Sequence, residues 1–265
     1  MISLAVIGAS GRMGRSVMKA AAGESGFTIS GGLVRPSSAD LGKDLGLLAA
    51  VAETGVSATD DIKSAIEAAD VVVDFSLPDS GGPVLKHCVE AELPLLIGTT
   101  GLDEEHHHAI AAAAEKTAIL YAANMSVGVN LMLRLAALTS RTLGDDFDIE
   151  IIDFHHRDKK DAPSGTALAI GESIDSGRGA TARREMGRGP EDGHRAPGAV
   201  GYSSVRAGDI VGEHTVLFAG SGESLQLTHK ATSRTTFARG ALRAAGWIYG
   251  RSPGLYGMSD VIGGG

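Results

Sequence analysis

The sequence of 265 residues contains one cysteine, Cys88. A single cysteine excludes a disulfide framework and a cysteine-rich metal site, and it is typical of a protein from a reducing compartment. The chain also lacks an uninterrupted apolar run of roughly 18 residues, the length that crosses a membrane. Its first residues carry no basic region ahead of an apolar stretch, so we expect no signal peptide. These absences predict a cytoplasmic protein without a membrane partner.

Glycine is in excess, with 37 of the 265 residues. This is about twice the usual share of ~7%. The glycines lack the Gly-X-Y period of collagen, and a hydrophobic content of 43% is too high for a disordered chain. The net charge of −8 disfavours nucleic acid as a partner, but it permits a local basic pocket for a small anion. The glycines therefore need a structural explanation.

Strand-like and helix-like patterns alternate over the first 125 residues. Apolar runs such as Ile2–Ile7 and Val71–Phe75 are each followed, after a short connection, by a helical pattern. This alternation predicts an α/β fold with an N-terminal Rossmann-type, doubly wound parallel sheet. A closing helix is predicted over Ser233–Tyr249.

The pattern changes after Asn124, where a long helix and then the strand Asp148–His155 are predicted. Antiparallel strands are predicted over Tyr202–Arg206, Asp209–Gly212, His214–Ala219 and Glu223–Ala231, and a long mobile loop over Gly177–Gly201. This favours a second α+β domain with an open mixed or antiparallel sheet. We therefore predict a dinucleotide-binding domain at residues 1–125, completed by 236–265, and a substrate-binding and oligomerisation domain at residues 126–235.

Gly8, Gly11 and Gly14 form a G-x-x-G-x-x-G pattern between the first predicted strand and the first predicted helix. Glycines at such a turn let backbone N–H groups approach a phosphate at the helix N-terminus. The position of the pattern predicts a dinucleotide site. The alternative is a glycine-rich turn without a ligand.

The residues after the second predicted strand bear on the choice of dinucleotide. An acid there would bind the ribose 2′-OH of NADH, whereas an arginine favours the 2′-phosphate of NADPH. This sequence has Arg35, and its next acid is Asp40. Arg12, inside the glycine loop, could add a second positive charge. We predict that NADPH is preferred and that NADH is possible; the alternative is a solvated surface arginine.

A dense group of polar residues follows the strand that ends at His155. His155, His156 and Lys159 precede Pro163-Ser164-Gly165-Thr166, which predicts a helix start whose first N–H groups point out of the helix towards an anion. Imidazole and ammonium groups can also transfer protons. The group therefore suits a small dicarboxylate substrate, although charge runs are often merely solvated. Zinc is disfavoured, because adjacent strand residues point to opposite faces and no third ligand has an evident spacing.

Two other features have structural interpretations. The side chains of His106-His107-His108 spread around a predicted helix by about 100° each, so we expect a solvated helix face rather than a metal site. Cys88 lies in an apolar helical pattern and is predicted to be a core residue.

In combination, these segments resemble the dihydrodipicolinate reductase family over nearly the whole chain. The resemblance is carried by Val6–Gly14, Val73–Ser76, Gly98–Gly101, Ala123–Asn130, Glu150–Arg157 with Lys159–Ala167, and Ser204–His214. It implies an NAD(P)H-dependent reduction of 4-hydroxy-tetrahydrodipicolinate in lysine and diaminopimelate biosynthesis. It also implies a homotetramer assembled through the sheet of the second domain.

The resemblance assigns roles to particular residues. It implies that the cofactor pyrophosphate is held by Gly8, Ala9, Ser10, Gly11, Arg12 and Met13. It implies that the nicotinamide end is lined by Gly98, Thr99, Thr100, Ala122, Ala123, Asn124 and Met125. The acid/base residue would be His155, the proton donor Lys159, and the ligands of the substrate carboxylates His156, Gly165 and Thr166.

The sequence departs from the family pattern at two positions. Many members carry a glutamate where this chain has Val34, and its absence strengthens the prediction of NADPH. Some carry an aromatic residue at Met125. Two alternatives stay open, a different small-substrate dehydrogenase on the same plan and a non-catalytic dinucleotide sensor, which would need no catalytic cluster.

Overall fold

The chain forms two compact units, as seen in a computed structural model that describes residues 1–263. Unit 1 contains Met1–Val127 and the segment from Thr235 onward, and unit 2 contains Gly128–Arg234. Gly264 and Gly265, with which the predicted first domain ends, lie outside the described residues. Among residues 1–263, no helix is both long enough and apolar enough to cross a membrane.

The described part of unit 1 contains a sheet of six parallel strands. They are β1 (Ile2–Ile7), β2 (Phe27–Leu33), β3 (Val71–Asp74), β4 (Leu95–Ile97), β5 (Ala118–Tyr121) and β11 (Gly254–Tyr256). The strand order is β11-β5-β4-β3-β1-β2, and every neighbouring pair is parallel. The order reverses between β1 and β3, which is the switch point of a doubly wound sheet. The predicted Rossmann-type sheet is confirmed.

Helices cover both faces of this sheet. They are α1 (Arg12–Ala22), α2 (Leu45–Leu48), α3 (Ile62–Ile66), α4 (Pro78–Glu90), α5 (Glu104–Ala114), α8 (Thr235–Ile248) and α9 (Met258–Gly263). Leu4 and Val6 of β1 belong to an apolar cluster with α1 and α8, whereas Ala5 and Ile7 belong to a second cluster with α3, α4 and α5. Because both faces are buried, the strands are continuous apolar runs rather than alternating ones.

Unit 2 combines two helices with a mixed sheet of five strands. The helices are α6 (Val127–Leu143), whose first residue is the last of unit 1, and α7 (Gly165–Arg178); a short 3-10 helix spans Gly144–Asp146. The strands are β6 (Asp148–His155), β7 (Arg184–Met186), β8 (Val200–Arg206), β9 (Gly212–Ala219) and β10 (Ser224–Ala231). Their order is β10-β9-β6-β8-β7. The predicted mixed sheet is confirmed.

Three details predicted for unit 2 were wrong. The strand predicted over Tyr202–Arg206 begins at Val200 and runs parallel, not antiparallel, to β6, because the chain crosses between the two strands through α7. No strand forms over Asp209–Val211. The chain turns at Gly208, which has a left-handed φ of +52°, and at Asp209, and β9 then begins at Gly212. The predicted loop over Gly177–Gly201 contains β7, which pairs with β8.

Candidate active site

The predicted cofactor residues lie at one edge of the sheet in unit 1. Gly8–Met13 follow β1, Gly98–Thr100 follow β4, and Ala122–Met125 follow β5. Because these strands are parallel, their carboxyl ends share one edge, and open α/β sheets bind ligands there, near the switch point. The fold thus gathers three predicted segments that are far apart in the sequence.

The glycine loop has the geometry of a phosphate site. Gly8 has a left-handed φ of +76°, and its carbonyl accepts the N–H of Gly11, the N-cap of α1, at 2.9 Å. A Cβ atom on Gly14 would overlap the carbonyl oxygen of Gly8, so glycine is required for the helix to start this close to the turn. The first N–H groups of α1, from Arg12 and Met13, have no acceptor within the helix. The loop therefore fits the pyrophosphate of a dinucleotide.

The segment after β4 is tied to the end of β3. Asp74 accepts the backbone N–H of Gly98 through its carbonyl at 2.8 Å, and its Oδ1 lies 3.4 Å from Thr99 Oγ1. Asp74 is buried, which raises the pKa of its carboxyl. After β5, Met125 is buried: its side chain packs in the hydrophobic core, and its carbonyl lies against Gly240 of α8, where a Cβ atom would overlap it.

Basic side chains flank the glycine loop. Arg35 is exposed after the end of β2, and Arg12 is exposed at the start of α1. The nearest acid downstream, Asp40, is bound by Arg15 at 2.5 Å and by Lys43 at 2.9 Å. The hydrogen bond from Lys43 lowers the pKa of the Asp40 carboxyl, and it outweighs desolvation, which acts to raise that pKa. The carboxylate of Asp40 is therefore already engaged.

The buried face of the sheet in unit 2 changes from apolar to polar towards one end. Along β6 the buried residues are, in order, Ile149, Ile151, Asp153 and His155. Along the antiparallel β9 they are, in reverse order, Phe218, Val216, His214 and Gly212. Asp153 is paired with His214. Helix α7 packs on the apolar part through Ala167, Ile170 and Ile174, and Ser164 caps it at the polar end.

Asp153 is the centre of the polar end. Its Oδ2 lies 3.1 Å from His155 Nδ1 and accepts hydrogen bonds from Ser164 N at 3.2 Å and from Arg206 Nη2 at 3.1 Å. Burial acts to raise the pKa of the Asp153 carboxyl, but these hydrogen bonds, led by that of His155, outweigh it and leave the pKa well below its usual range. An ionised carboxylate only accepts hydrogen bonds, so Nδ1 of His155 carries a proton.

Ser164 joins the start of α7 to a second buried histidine. Its Oγ accepts the N–H of Ala167 at 3.2 Å and lies 3.1 Å from His214 Nε2. The rings of His214 and His155 meet edge to face, with centroids 5.2 Å apart. Burial lowers the pKa of His214 to about 4, and the neighbouring His155 adds to this effect. His214 is therefore neutral at pH 7.

The connection between β6 and α7 carries the other predicted substrate residues. Lys159 Nζ lies 3.0 Å from the exposed Asp161 Oδ1, and Lys159 N donates to the carbonyl of His156 at 3.1 Å. Arg206 also donates to the carbonyl of Asp161 at 2.6 Å, which ties the connection to the end of β8. Gly165 is exposed at the first position of α7.

A third potential metal ligand lies beside His155, contrary to the reason given for excluding zinc. Asp153, His155 and His214 each place one suitable atom within 4.8 Å of the others. However, the guanidinium of Arg206 already occupies Oδ2 of Asp153, and a positive charge there opposes a metal cation. The cluster is thus better suited to hydrogen bonding and proton transfer.

The sequence predicted Ser164 only as part of a helix start, and no role was predicted for Asp153, Arg206 or His214, although all four residues lie in the segments that carried the resemblance. The alternation of buried and less buried residues along β6 and β9 could have identified two of them. Asp153 stands two residues before His155, and His214 two before Val216, so both occupy the buried phase of an alternating strand. A polar residue in that phase indicates a functional or hydrogen-bonded position.

The remaining singled-out residues have structural roles. In α5, His106 Nδ1 lies 2.5 Å from Asp103 Oδ1, whereas His107 and His108 are exposed. Cys88 is fully buried in the core, as predicted, and burial raises the pKa of its thiol to about 12.

Comparison with known proteins supports one family over the whole chain. The model for the dihydrodipicolinate reductase N-terminus matches residues 2–125, and that for its C-terminus matches residues 128–262. The chain belongs to the dihydrodipicolinate reductase family. It is therefore an NAD(P)H-dependent oxidoreductase that catalyses a reduction in lysine and diaminopimelate biosynthesis.

Individual relatives agree with this assignment. The chain is 49% identical to the 4-hydroxy-tetrahydrodipicolinate reductase of Thiobacillus denitrificans, with 99% of this chain and 98% of the relative covered. It is 48% identical to that of Alkalilimnicola ehrlichii, with 98% of each covered. A dipicolinate-bound dihydrodipicolinate reductase from Paenisporosarcina sp. TG-14 superposes with a TM-score of 0.79 at 25% identity, over 99% of each chain.

The buried His214 predicts a pH dependence of stability. An unfolded histidine takes up a proton near pH 6.5, whereas folded His214 does so near pH 4. Between these values the folded chain binds fewer protons, so its stability falls as the pH falls. From pH 7 to pH 5, wild type should lose about 2 kcal/mol more than His214→Gln in urea unfolding. The exposed-site control His108→Gln should match wild type, and equal losses in wild type and His214→Gln would contradict the prediction.

Proposed function

We propose that this chain reduces 4-hydroxy-tetrahydrodipicolinate to tetrahydrodipicolinate, with the chemistry carried by the polar end of unit 2. The observation that carries the proposal is the shared contact of Asp153 Oδ2 with His155 and with the backbone of Ser164. It places an imidazole beside the N-terminus of α7. The names of the relatives and the dipicolinate in the Paenisporosarcina structure support a planar dicarboxylate as the ligand.

The two carboxylates of the substrate are held by the start of α7 and by His156. Helix α7 has 14 residues, and its first N–H groups, from Gly165 and Thr166, lie at the positive end of the helix dipole. Gly165 has no side chain between its backbone and solvent, and a Cβ there would meet no atom within 4 Å. The anion can therefore approach the backbone closely.

A proton source completes the reduction. A nicotinamide cofactor held by unit 1 would supply the hydride for C4 of the ring once water has left the 4-hydroxy compound. The resulting enamine then takes a proton from His155 or Lys159. His155 Nδ1 is held by Asp153, so Nε2 is the nitrogen that can exchange a proton. Lys159 lies in the connection that leads to α7 and is paired with the exposed Asp161.

Removal of either proton source should slow turnover. We expect His155→Ala and Lys159→Ala to lower kcat by at least about 100-fold, since a positioned acid contributes 10²–10⁴. The KM for NADPH should stay within about threefold, because neither residue belongs to the cofactor loop. The assay follows NADPH oxidation at 340 nm with freshly generated substrate and uses dipicolinate as competitor. Lys160→Ala, an exposed neighbour, is the matched control. Near-normal kcat in both variants would exclude this site.

We propose further that NADPH is preferred over NADH. Val34, at the position of the family's glutamate, is buried and apolar, and the exposed Arg35 follows it. Asp40 is engaged by Arg15 and Lys43, so it is a poor ligand for ribose hydroxyls. Arg35, with Arg12, therefore offers positive charge to a 2′-phosphate without a competing acid.

Arg35→Ala should discriminate between the two cofactors. A hydrogen bond to a charged group is worth about 1.5–3 kcal/mol, which corresponds to roughly tenfold or more in affinity. We expect the KM for NADPH to rise by about that factor and the KM for NADH to change less than twofold. Lys19→Ala, an exposed cation in the last turn of α1, should alter neither constant. Equal changes in the two constants for Arg35→Ala would show that Arg35 does not bind the 2′-phosphate.

Two features stay predictions, a homotetramer, which the family resemblance implies, and a cytoplasmic location, which the composition predicts. Val205 of β8 is exposed and is paired with Phe154, so it lies on the face of the unit 2 sheet opposite to α7, which supports that face as the assembly surface.

A further inference from the structure

Asp153 connects three elements through one atom. Its Oδ2 contacts His155 on the same strand, Ser164 at the start of α7, and Arg206 at the end of β8, all within 3.1–3.2 Å. The residue is only 1% exposed, so water has little access to replace these partners. The positive charge of Arg206 offsets the cost of burying the carboxylate.

The first consequence concerns His155. The carboxylate fixes both the rotation of the imidazole and the position of its proton, because Nδ1 must donate to Oδ2. Nε2 is left as the exchanging nitrogen. The position facing it is Gly212, where a Cβ would lie 3.2 Å from Nε2. A larger residue at that position would crowd the reactive edge of the ring.

The second consequence concerns α7. Ser164 is its N-cap, and two of its groups are fixed, the N–H by Asp153 and Oγ by contacts with Ala167 N and His214 Nε2. The direction of the first turn is therefore set relative to β6. Gly165 and Thr166 follow Ser164 directly in this first turn, so the orientation of their N–H groups is fixed together with it.

We infer that Asp153 is a positioning residue for this reaction. Through Oδ2 it holds the acid/base imidazole of His155 and the carboxylate-binding first turn of α7 in a single geometry. This inference rests on the proposed function, which assigns chemistry to His155 and substrate binding to α7. Asp153 itself acts through these groups and needs no contact with the substrate.

Asp153→Asn separates charge from hydrogen bonding. The amide oxygen at the place of Oδ2 can still accept hydrogen bonds from Ser164 N, Arg206 and His155 Nδ1, so this variant isolates the loss of the negative charge that faces the imidazole. We expect kcat to fall by at least about 100-fold, the scale on which a misplaced acid/base group is lost. The Kd for dipicolinate, measured by calorimetry on the full chain, should stay within threefold of wild type. Asp158→Asn, an exposed carboxylate in the same connection, should leave both values unchanged.

A double-mutant cycle with His155→Ala tests whether Asp153 acts through His155. If it does, Asp153→Asn should have little further effect on kcat once His155 is absent. Asp153→Ala also removes the acceptor of Ser164 N, so it should raise the Kd for dipicolinate at least tenfold, unlike the asparagine variant. The asparagine variant decides the question even if the alanine variant does not fold.

The outcomes separate the two proposals. If kcat of Asp153→Asn stays within threefold of wild type, or if the variant loses the same factor with and without His155, the positioning role is overturned. If His155→Ala alone keeps near-normal kcat, the positioning role through His155 is overturned as well, whereas the proposed function fails only if Lys159→Ala also keeps near-normal kcat. A large loss in both single variants, without a further loss in the double variant, supports both proposals.

Discussion

A single carboxylate oxygen organises the polar end of unit 2. Oδ2 of Asp153 is bonded to groups from β6, α7 and β8, so the relative placement of these elements and the hydrogen bonding of this atom depend on each other. Burying a carboxylate is costly unless it is paired with a cation and accepts hydrogen bonds; Oδ2 of Asp153 does both, whereas its buried Oδ1 has no hydrogen-bond partner among residues 1–263. Here the arginine and the hydrogen bonds lower the carboxyl pKa and keep it charged. That charge in turn determines which nitrogen of His155 can exchange a proton.

In unit 1 the geometry of the backbone is the main constraint. The glycine loop is predicted to bind the cofactor through backbone N–H groups rather than through side chains. A parallel sheet brings the ends of β1, β4 and β5 to one edge, and glycine at Gly8 and Gly14 lets the first helix start against the turn. This explains part of the glycine excess in the composition. The exposed side chains of Arg12 and Arg35 are the charged groups to which the proposed function assigns the selectivity for NADPH.

The sequence predicts local features of this chain well. The glycine loop, the strand Asp148–His155 and the cap at Ser164 depend on neighbouring residues, and each forms as expected. Whether β8 runs parallel or antiparallel to β6 cannot be read from the residues of β8, because side chains alternate between the two faces of the sheet in both kinds of strand. The cluster of Asp153 with His214 requires the register of β6 against β9. Only the pairing of these strands, with α7 and β8 in the connection, brings together two side chains that are 61 positions apart in the sequence.

The most direct test of the account is the tautomer of His155, observed by histidine side-chain ¹⁵N NMR of the full chain. The His155→Gln spectrum identifies its signals among those of the nine histidines. The account predicts that the neutral ring carries its proton on Nδ1 and has an unprotonated Nε2. A neutral ring with the proton on Nε2 and an unprotonated Nδ1 would contradict it, because Nδ1 could then not donate to Asp153.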